Sequence, residues 1–330
     1  MCVAGATGNV GRTMIKILEE RNFPVDRIRF LASSRSVGKT LPFRGTDITV
    51  EELTQDSFEK GELVLSSPGG SVSKWYIPSA VKAGAFVIDN TSAFRMHDSV
   101  PLVVPEVNPE EAHKHQGIIA NPNCSTIQMV IVLKPLHDAA KIVRVVVSTY
   151  QSVSGAGIAA INELRDQSKA IIEGSLYEPV VFPHRIAFNC IPQIPQKNAF
   201  APNFYSEEEM KMVNETRKIM KDPSIRITAT TVRVPVFVSH SESVNVETKR
   251  KLSRDEAITI LKKAPGVTVV DEPSNQAYPL ASVAEGKDDT FVGRIREDIS
   301  HEKALDMWIV SDNLRKGAAL NAVQIAELFL

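Results

Sequence analysis

The chain has 330 residues, with 38 Lys and Arg against 39 Asp and Glu and a formal net charge of -1. That length allows two domains with substantial cores, and the balanced charge excludes a basic field for nucleic acid or an anionic membrane. Cys2, Cys124 and Cys190 lie far apart without a CxxC pair, so neither a disulfide framework nor a metal site is indicated; with no signal peptide and no run of about 18 apolar residues, a small-molecule task in the cytoplasm is the expectation.

The opening Met1-Cys2-Val3-Ala4 is followed by Gly5-Ala6-Thr7-Gly8-Asn9-Val10-Gly11 and by an amphipathic stretch from Arg12 to Glu20 with apolar Met14, Ile15, Ile17 and Leu18. Strand, glycine turn and helix is the arrangement that offers helix N–H groups to a dinucleotide pyrophosphate, the glycines permitting close approach. Gly5, Thr7, Gly8, Asn9, Val10 and Gly11 are therefore candidate cofactor contacts. Four residues before the first glycine are few for a central strand, which suggests a start slightly upstream.

The second strand, Arg27 to Ala32, ends in Ser33-Ser34-Arg35-Ser36, where an NAD enzyme would carry an acidic residue for the ribose 2′-OH. Ser34, Arg35 and Ser36 suit a 2′-phosphate, so NADP is the reading, a solvated loop arginine being the alternative. Strands at Leu63 to Ser66 and Ala85 to Asp89 flank a helix from Val72 to Ala83, and this alternation predicts a Rossmann-type, doubly wound parallel sheet of the α/β class. Ser67-Pro68-Gly69-Gly70-Ser71 lies at the carboxyl end of one such strand and reads as a second cofactor loop, with Ser67 and Ser71 its candidates. Asn90 to Arg95 follows another strand end, where the Arg95 guanidinium can clamp a phosphate or carboxylate; a surface salt bridge is the alternative.

Gly117 to Ala120 is a short strand-type run, Ile127 to Leu133 opens a buried helix, and Asn121-Pro122-Asn123-Cys124-Ser125-Thr126 joins them. A cysteine at a strand-to-helix turn gains thiolate character from the helix dipole, and the same N–H groups can stabilise an oxyanion when the sulfur attacks a carbonyl. A buried structural cysteine is the alternative. Beyond it, β-rich runs at Ile142 to Tyr150, Ile225 to Val238, Ser243 to Thr248 and Phe291 to Arg296 predict an α+β domain with a mixed sheet. The Val180 to Asn203 stretch is an irregular loop. In the helical stretch Ser206 to Lys221, Glu208 and Lys211 share one face, a plain solvated helical face being the alternative. His240 follows the alternating run Thr231 to Val238 and so emerges at a strand end, whereas the other histidines lie in polar or helical contexts. An amphipathic helix from Asn313 to Ala326 is expected to return to the cofactor domain, which gives domains of 1–123 plus 312–330 and of 124–311.

Gly5 to Gly11, Asn90 to Arg95, Asn121 to Ser125, Gln151 to Gly157, Arg233-Val234-Pro235 and His240 to Ser243 occur in an order and spacing that resemble the aspartate-β-semialdehyde dehydrogenase family over essentially the whole chain. The resemblance implies NADPH-dependent reductive dephosphorylation of β-aspartyl phosphate to aspartate semialdehyde, a step towards lysine, threonine, methionine and isoleucine, in a homodimer or homotetramer. It implies Cys124 as the thioester-forming nucleophile, His240 as acid/base, Gln151 as the residue orienting the substrate carbonyl and Asn123 as a polar neighbour in the acyl site. By the same resemblance Arg233 clamps the α-carboxylate, Glu208 takes the ammonium, Arg95 and Lys211 take phosphate, and Ser154, Gly155 and Asn313 lie near the cofactor. The alternatives are an N-acetyl-γ-glutamyl-phosphate or malonyl-CoA type of reductase, and a non-catalytic paralogue.

Overall fold

The computed structural model describes residues 1–197 and 199–330; Asn198, part of the loop expected from Val180 to Asn203, lies outside them. Two compact units are formed, Met1–Asn123 with Gly317–Leu330, and Cys124–Lys316.

In the first unit β1 (Cys2–Ala4) leads through the glycine turn into α1 (Asn9–Glu20), followed by β2 (Arg29–Ala32), β3 (Thr40–Phe43), β4 (Thr46–Glu52), β5 (Leu63–Ser66), α2 (Gly70–Lys82), β6 (Phe86–Asp89) and β7 (Ile118–Ala120). The sheet order is β3-β4-β2-β1-β5-β6-β7, and every neighbouring pair is parallel except the edge hairpin β3–β4. Successive residues of each central strand serve opposite faces. Val3, Phe30, Leu65 and Ile88 pack with Met14, Ile17 and Leu18 of α1, while Cys2, Ala4, Leu31, Val64 and Val87 pack with Tyr76, Ile77 and Ala80 of α2. Helices on both faces are what make the strands apolar throughout.

The second unit begins with α3 (Cys124–Ala140) and continues through β8 (Ile142–Gln151), α4 (Ile158–Ile172), α5 (Glu207–Met220), β9 (Arg226–Arg233), β10 (His240–Thr248), α6 (Arg254–Leu261), β11 (Val267–Val269), α7 (Ala281–Ala284), β12 (Thr290–Glu297) and β13 (Ala304–Ser311). Its sheet runs β11-β12-β13-β10-β8-β9 and is mixed, parallel at β8–β9 and β11–β12 and antiparallel elsewhere. Helices α3, α5 and α6 cover one face. Along β10 the residues on that face, Glu242, Val244, Val246 and Thr248, are buried, whereas Ser243 on the other face is exposed. The chain then re-enters the first unit through a π-helical turn (Arg315–Ala319) and α8 (Leu320–Glu327).

The doubly wound sheet and the separate mixed sheet both match expectation, and three local readings do not. The strand expected from Ile225 to Val238 stops at Arg233, because Pro235 has no N–H to give a ladder. The chain turns through Ser239 at φ 74°, so His240 opens β10 instead of closing the preceding strand. The carboxy-terminal helix is not amphipathic, since Leu320, Asn321, Ala322, Val323, Ile325 and Ala326 are all buried. Among the described residues no helix is long and apolar enough to cross a membrane.

Candidate active site

The first unit holds the cradle for a dinucleotide. Gly5 sits at φ +81°, and a Cβ there would lie 2.8 Å from the Ser67 carbonyl carbon; a Cβ on Gly11 would lie 2.3 Å from the Gly5 carbonyl oxygen. Both glycines are thus required by backbone approach, the first between the β1–α1 turn and the Ser67-Pro68 loop, the second between that turn and α1. Gly8 gives α1 no side-chain cap, which leaves its first-turn N–H groups directed at an external acceptor. Asn9 Nδ2 and Ser67 Oγ, beside the same turn, are buried without a hydrogen-bond partner among the described residues. Thr7 Oγ1 lies 3.4 Å from Ser36 Oγ, joining the glycine turn to the loop after β2, where Ser34 and Arg35 are exposed and Ser36 is buried. Val10 stands in the first turn of α1 and packs on the apolar core, and Ser71 is exposed at the start of α2. These residues fit a pyrophosphate at α1 and an adenosine near Ser36.

Arg95 is buried, donating from Nε to the Asn121 carbonyl (2.8 Å) and from Nη2 to the Asn90 carbonyl (3.0 Å). Asn90 and Asn121 directly follow β6 and β7, so Arg95 is fixed at the carboxyl rim of the parallel sheet. The sequence reading passed over Asp89, whose buried carboxyl accepts from Ser66, Ser73 and Thr91. Burial pushes that carboxyl up and the hydrogen bonds oppose it. Asn123, the last residue of this unit, is buried.

The second unit assembles the other candidates. Cys124 is the first residue of α3 and is partly exposed. At the end of β8, Gln151 donates from Nε2 to Glu208 Oε1 (3.2 Å) and Thr149 Oγ1 (3.3 Å). Glu208 is therefore no solvated face: it is buried while Glu207 is exposed. Lys211 lies 3.5 Å from Glu208 and 2.8 Å from Glu207. A capping box between Ser206 and Glu209 starts α5 and sets this rotation.

Arg233, at the end of β9, is 3% exposed and donates from Nη1 to the Ser152 carbonyl (2.6 Å). Its burial pushes the guanidinium pKa down, opposed by the Glu208 carboxylate and the Cys124 sulfur. His240 is fully buried, and its Nδ1 accepts from the Ser152 N–H at 3.0 Å. The neutral ring then carries its proton on Nε2, an atom without a hydrogen-bond partner among the described residues. Burial, then Arg233, hold the ring pKa well below the usual histidine range. Gly155 passes over both side chains: a Cβ there would be 3.1 Å from Arg233 Nη1 and 3.3 Å from His240 Nε2.

Asn313 Oδ1 accepts from Ser152 Oγ (3.1 Å), Ser154 Oγ (3.1 Å) and the Ser239 N–H (2.9 Å), tying together the turns that present Gly155 and His240. The resemblance implies Asn313 and Ser154 as cofactor neighbours; what the structure shows is Asn313 Nδ2 donating to Ser154 Oγ at 2.9 Å. Ser152 was missed as a candidate, although it lies between two residues that were chosen.

A family model described as "semialdehyde dehydrogenase, NAD binding domain" matches residues 1–115, and one described as "semialdehyde dehydrogenase, dimerisation domain" matches residues 133–316. An aspartate-semialdehyde dehydrogenase of Aquifex aeolicus is 55% identical over 334 residues, covering 100% of this chain and 97% of the relative. The crystal structure of aspartate semialdehyde dehydrogenase II from Vibrio cholerae complexed with ASA matches with TM-score 0.94 and 48% identity, over 99% of this chain and 97% of that one. The enzyme of Candida albicans, solved with NADP, matches with TM-score 0.76 and 26% identity, over 99% and 97%.

Proposed function

The chain belongs to the semialdehyde dehydrogenase family and, within it, to the aspartate-semialdehyde dehydrogenases, and on that premise we propose NADPH-dependent reduction of β-aspartyl phosphate to aspartate semialdehyde through a thioester on Cys124. The observation that carries this reading is the grouping, in one unit, of a partly exposed cysteine at a helix start, a buried guanidinium within its electrostatic reach and a neutral imidazole behind the same glycine as that guanidinium.

The chemistry runs as a double displacement. The Cys124 thiolate adds to the acyl carbon, the bond to phosphate oxygen breaks, and phosphate leaves with the bonding pair. A nicotinamide dinucleotide, when held by the Gly5 to Gly11 turn, would supply the hydride that reduces the thioester carbon. The resulting oxyanion collapses, the carbon–sulfur bond breaks, and the aldehyde departs from a regenerated thiolate. At both tetrahedral stages negative charge gathers on one oxygen, and the free Nε2–H of His240 is the donor suited to it. Gln151, held by Glu208 and Thr149, is suited to orient the carbonyl.

Arg233 takes the α-carboxylate in this reading, where its planar fork offers two parallel donors, and Glu208 takes the ammonium. Arg95 and Lys211 serve phosphate, with Asn123 beside the acyl group. Arg35, with Ser34 and Ser36, favours NADP through the 2′-phosphate, and the pathway is amino-acid biosynthesis from aspartate. The open face of the mixed sheet supports a homodimer. Phosphate-dependent formation of NADPH from aspartate semialdehyde tests the reading: Cys124→Ala should abolish it with cofactor binding retained, and turnover in that variant would overturn the role of Cys124.

A further inference from the structure

The register of the second sheet sorts its covered face into rows. Arg233, Gln151, His240 and Ser311 form the first row; Thr231, Thr149, Glu242 and Ile309 lie one pleat deeper; Ala229, Val147, Val244 and Met307 form the third. The third row is apolar, as the floor of a core should be. The second row is not, for Thr231, Thr149 and Glu242 are all buried polar groups. Thr149 and Thr231 have hydroxyl partners in Gln151 and Ser206. Glu242 is different: it is fully buried, and neither carboxyl oxygen has a hydrogen bond of ordinary geometry among the described residues.

Gln128 of α3 stands in the same condition, 1% exposed with both ends of its amide unpartnered in ordinary geometry. The helix and strand that carry them, α3 and β10, pack on each other, and while burial pushes the Glu242 carboxyl well above the usual carboxylate range, the Gln128 amide opposes that rise. Each partner is one structural repeat from a proposed reacting group. Glu242 is two residues along β10 from His240, about 6.5–7 Å on the same face, and Gln128 is one helical turn, about 6 Å, from Cys124.

We propose that Glu242 and Gln128 are positioning residues for the reaction, a buried pair that holds the amino end of α3, and with it the Cys124 sulfur, in register with the strand that carries His240. The inference rests on the roles proposed above for Cys124 and His240. A lone ionised carboxylate at this depth would be costly, so the pair works as a neutral acid and an amide. The acid O–H donates to Gln128 Oε1, and Gln128 Nε2 donates to the acid carbonyl. Two parallel hydrogen bonds of this kind fix both sliding and rotation of a helix on a sheet, which apolar contact alone leaves loose. The device touches neither substrate nor cofactor; it acts through Cys124.

The test compares Glu242→Leu with Glu242→Gln in the full-length enzyme, reading kcat, KM and the rate of iodoacetamide alkylation at Cys124 by peptide mass spectrometry. Glu242→Leu fills the space without the hydrogen bonds and should lower both kcat and the alkylation rate by about tenfold to a hundredfold, with KM within about twofold. Glu242→Gln can make the same two bonds and should restore both rates. A folded Glu242→Leu with unchanged kcat and alkylation overturns the proposal, as does a Glu242→Gln variant as impaired as the leucine one. Should Glu242→Leu not fold, Gln128→Met removes the partner at similar volume, and retention of both rates there overturns it equally. Cys124→Ala measured alongside separates the two levels: turnover in that variant removes the role of Cys124 and the pairing with it, whereas an inactive Cys124→Ala beside a fully active Glu242→Leu removes the pairing alone.

Discussion

Two buried titratable residues on one strand face answer pH in opposite directions. His240 has its pKa pushed well below the ordinary histidine value of 6.5 by burial and by Arg233. As pH falls through about 6.5 the unfolded chain binds a proton that the folded ring refuses, so this residue lends stability at neutral pH and loses it in acid. Glu242 is pushed well above the carboxyl value of 4.5 by burial. Below about 4.5 both states are protonated; as pH rises the unfolded carboxyl ionises first, so the contribution of Glu242 is complete in acid and is lost as pH rises through the folded value. Replacement by a residue that cannot titrate reveals each sign. The melting temperature of Glu242→Gln should exceed that of the wild type by a margin that grows from about pH 4.5 to about pH 8, whereas His240→Gln should gain on the wild type as pH falls from about 7.5 to about 5.5. A margin that does not change with pH, measured by calorimetry on either variant, would contradict the burial argument for that residue.

At the scale of elements, the loop after α4 shows how a helix stands in for a missing strand partner. Glu163 Oε2 accepts from the Val180 and Val181 N–H groups at 2.9 and 2.6 Å, and Oε1 accepts from Phe182 at 3.2 Å. One turn on, Gln167 Oε1 accepts from Ile186 and Ala187 at 2.9 and 3.0 Å. Five backbone donors of an irregular segment are thereby satisfied, and Phe182, Ile186 and Ile191 pack on Val153 and Leu164 beneath. Glu163→Ala strands three of those donors and should cost about 2–4 kcal/mol, with faster proteolytic cleavage between residues 176 and 188; an unchanged digestion pattern would show that the loop is held by its apolar contacts. Such a role is invisible in sequence, where a glutamate and a glutamine four apart on a helix look like solvent-facing residues. The same limit hid Asp89 and Glu242. By contrast the β1–α1 turn was legible, because Gly5 and Gly11 answer to backbone collisions that no other residue survives. The β3–β4 hairpin was not, for β4 buries Val50 alone among Thr46–Glu52 and so shows no period of two, and β3 contains Pro42. Where β9 ends and His240 begins a new strand, an apolar alternation that ran on through Val238 masked a turn set by Pro235 and Ser239.

For the molecule as a whole, composition excluded a nucleic-acid or membrane surface but said nothing about a second copy of the chain. The second unit leaves large apolar side chains in water: Leu176 is 97% exposed, Phe204 88% and Ile172 78%. On the sheet face away from α3, Tyr150 is 39% exposed and stacks at a tilt on Trp308, their ring centroids 5.3 Å apart. Side chains this exposed contribute nothing to the fold of a single chain, and several on one unit mark a contact with another protein surface. The family model covering residues 133–316 is that of a dimerisation domain, so the partner proposed above is a second copy. This yields a sharp separation of causes. Replacing Leu176 and Phe204 together by Asp leaves a lone chain as stable as before, because neither side chain is buried in it, but places two carboxylates at a subunit boundary, where desolvation without a partner is costly. Sedimentation of the doubly substituted protein at micromolar concentration should show the mass of one chain where the wild type shows that of two, with the melting temperature falling through loss of association and becoming independent of concentration. If the substituted protein still sediments as the wild type does, the interface lies elsewhere and the exposed apolar side chains of this unit have another occupant.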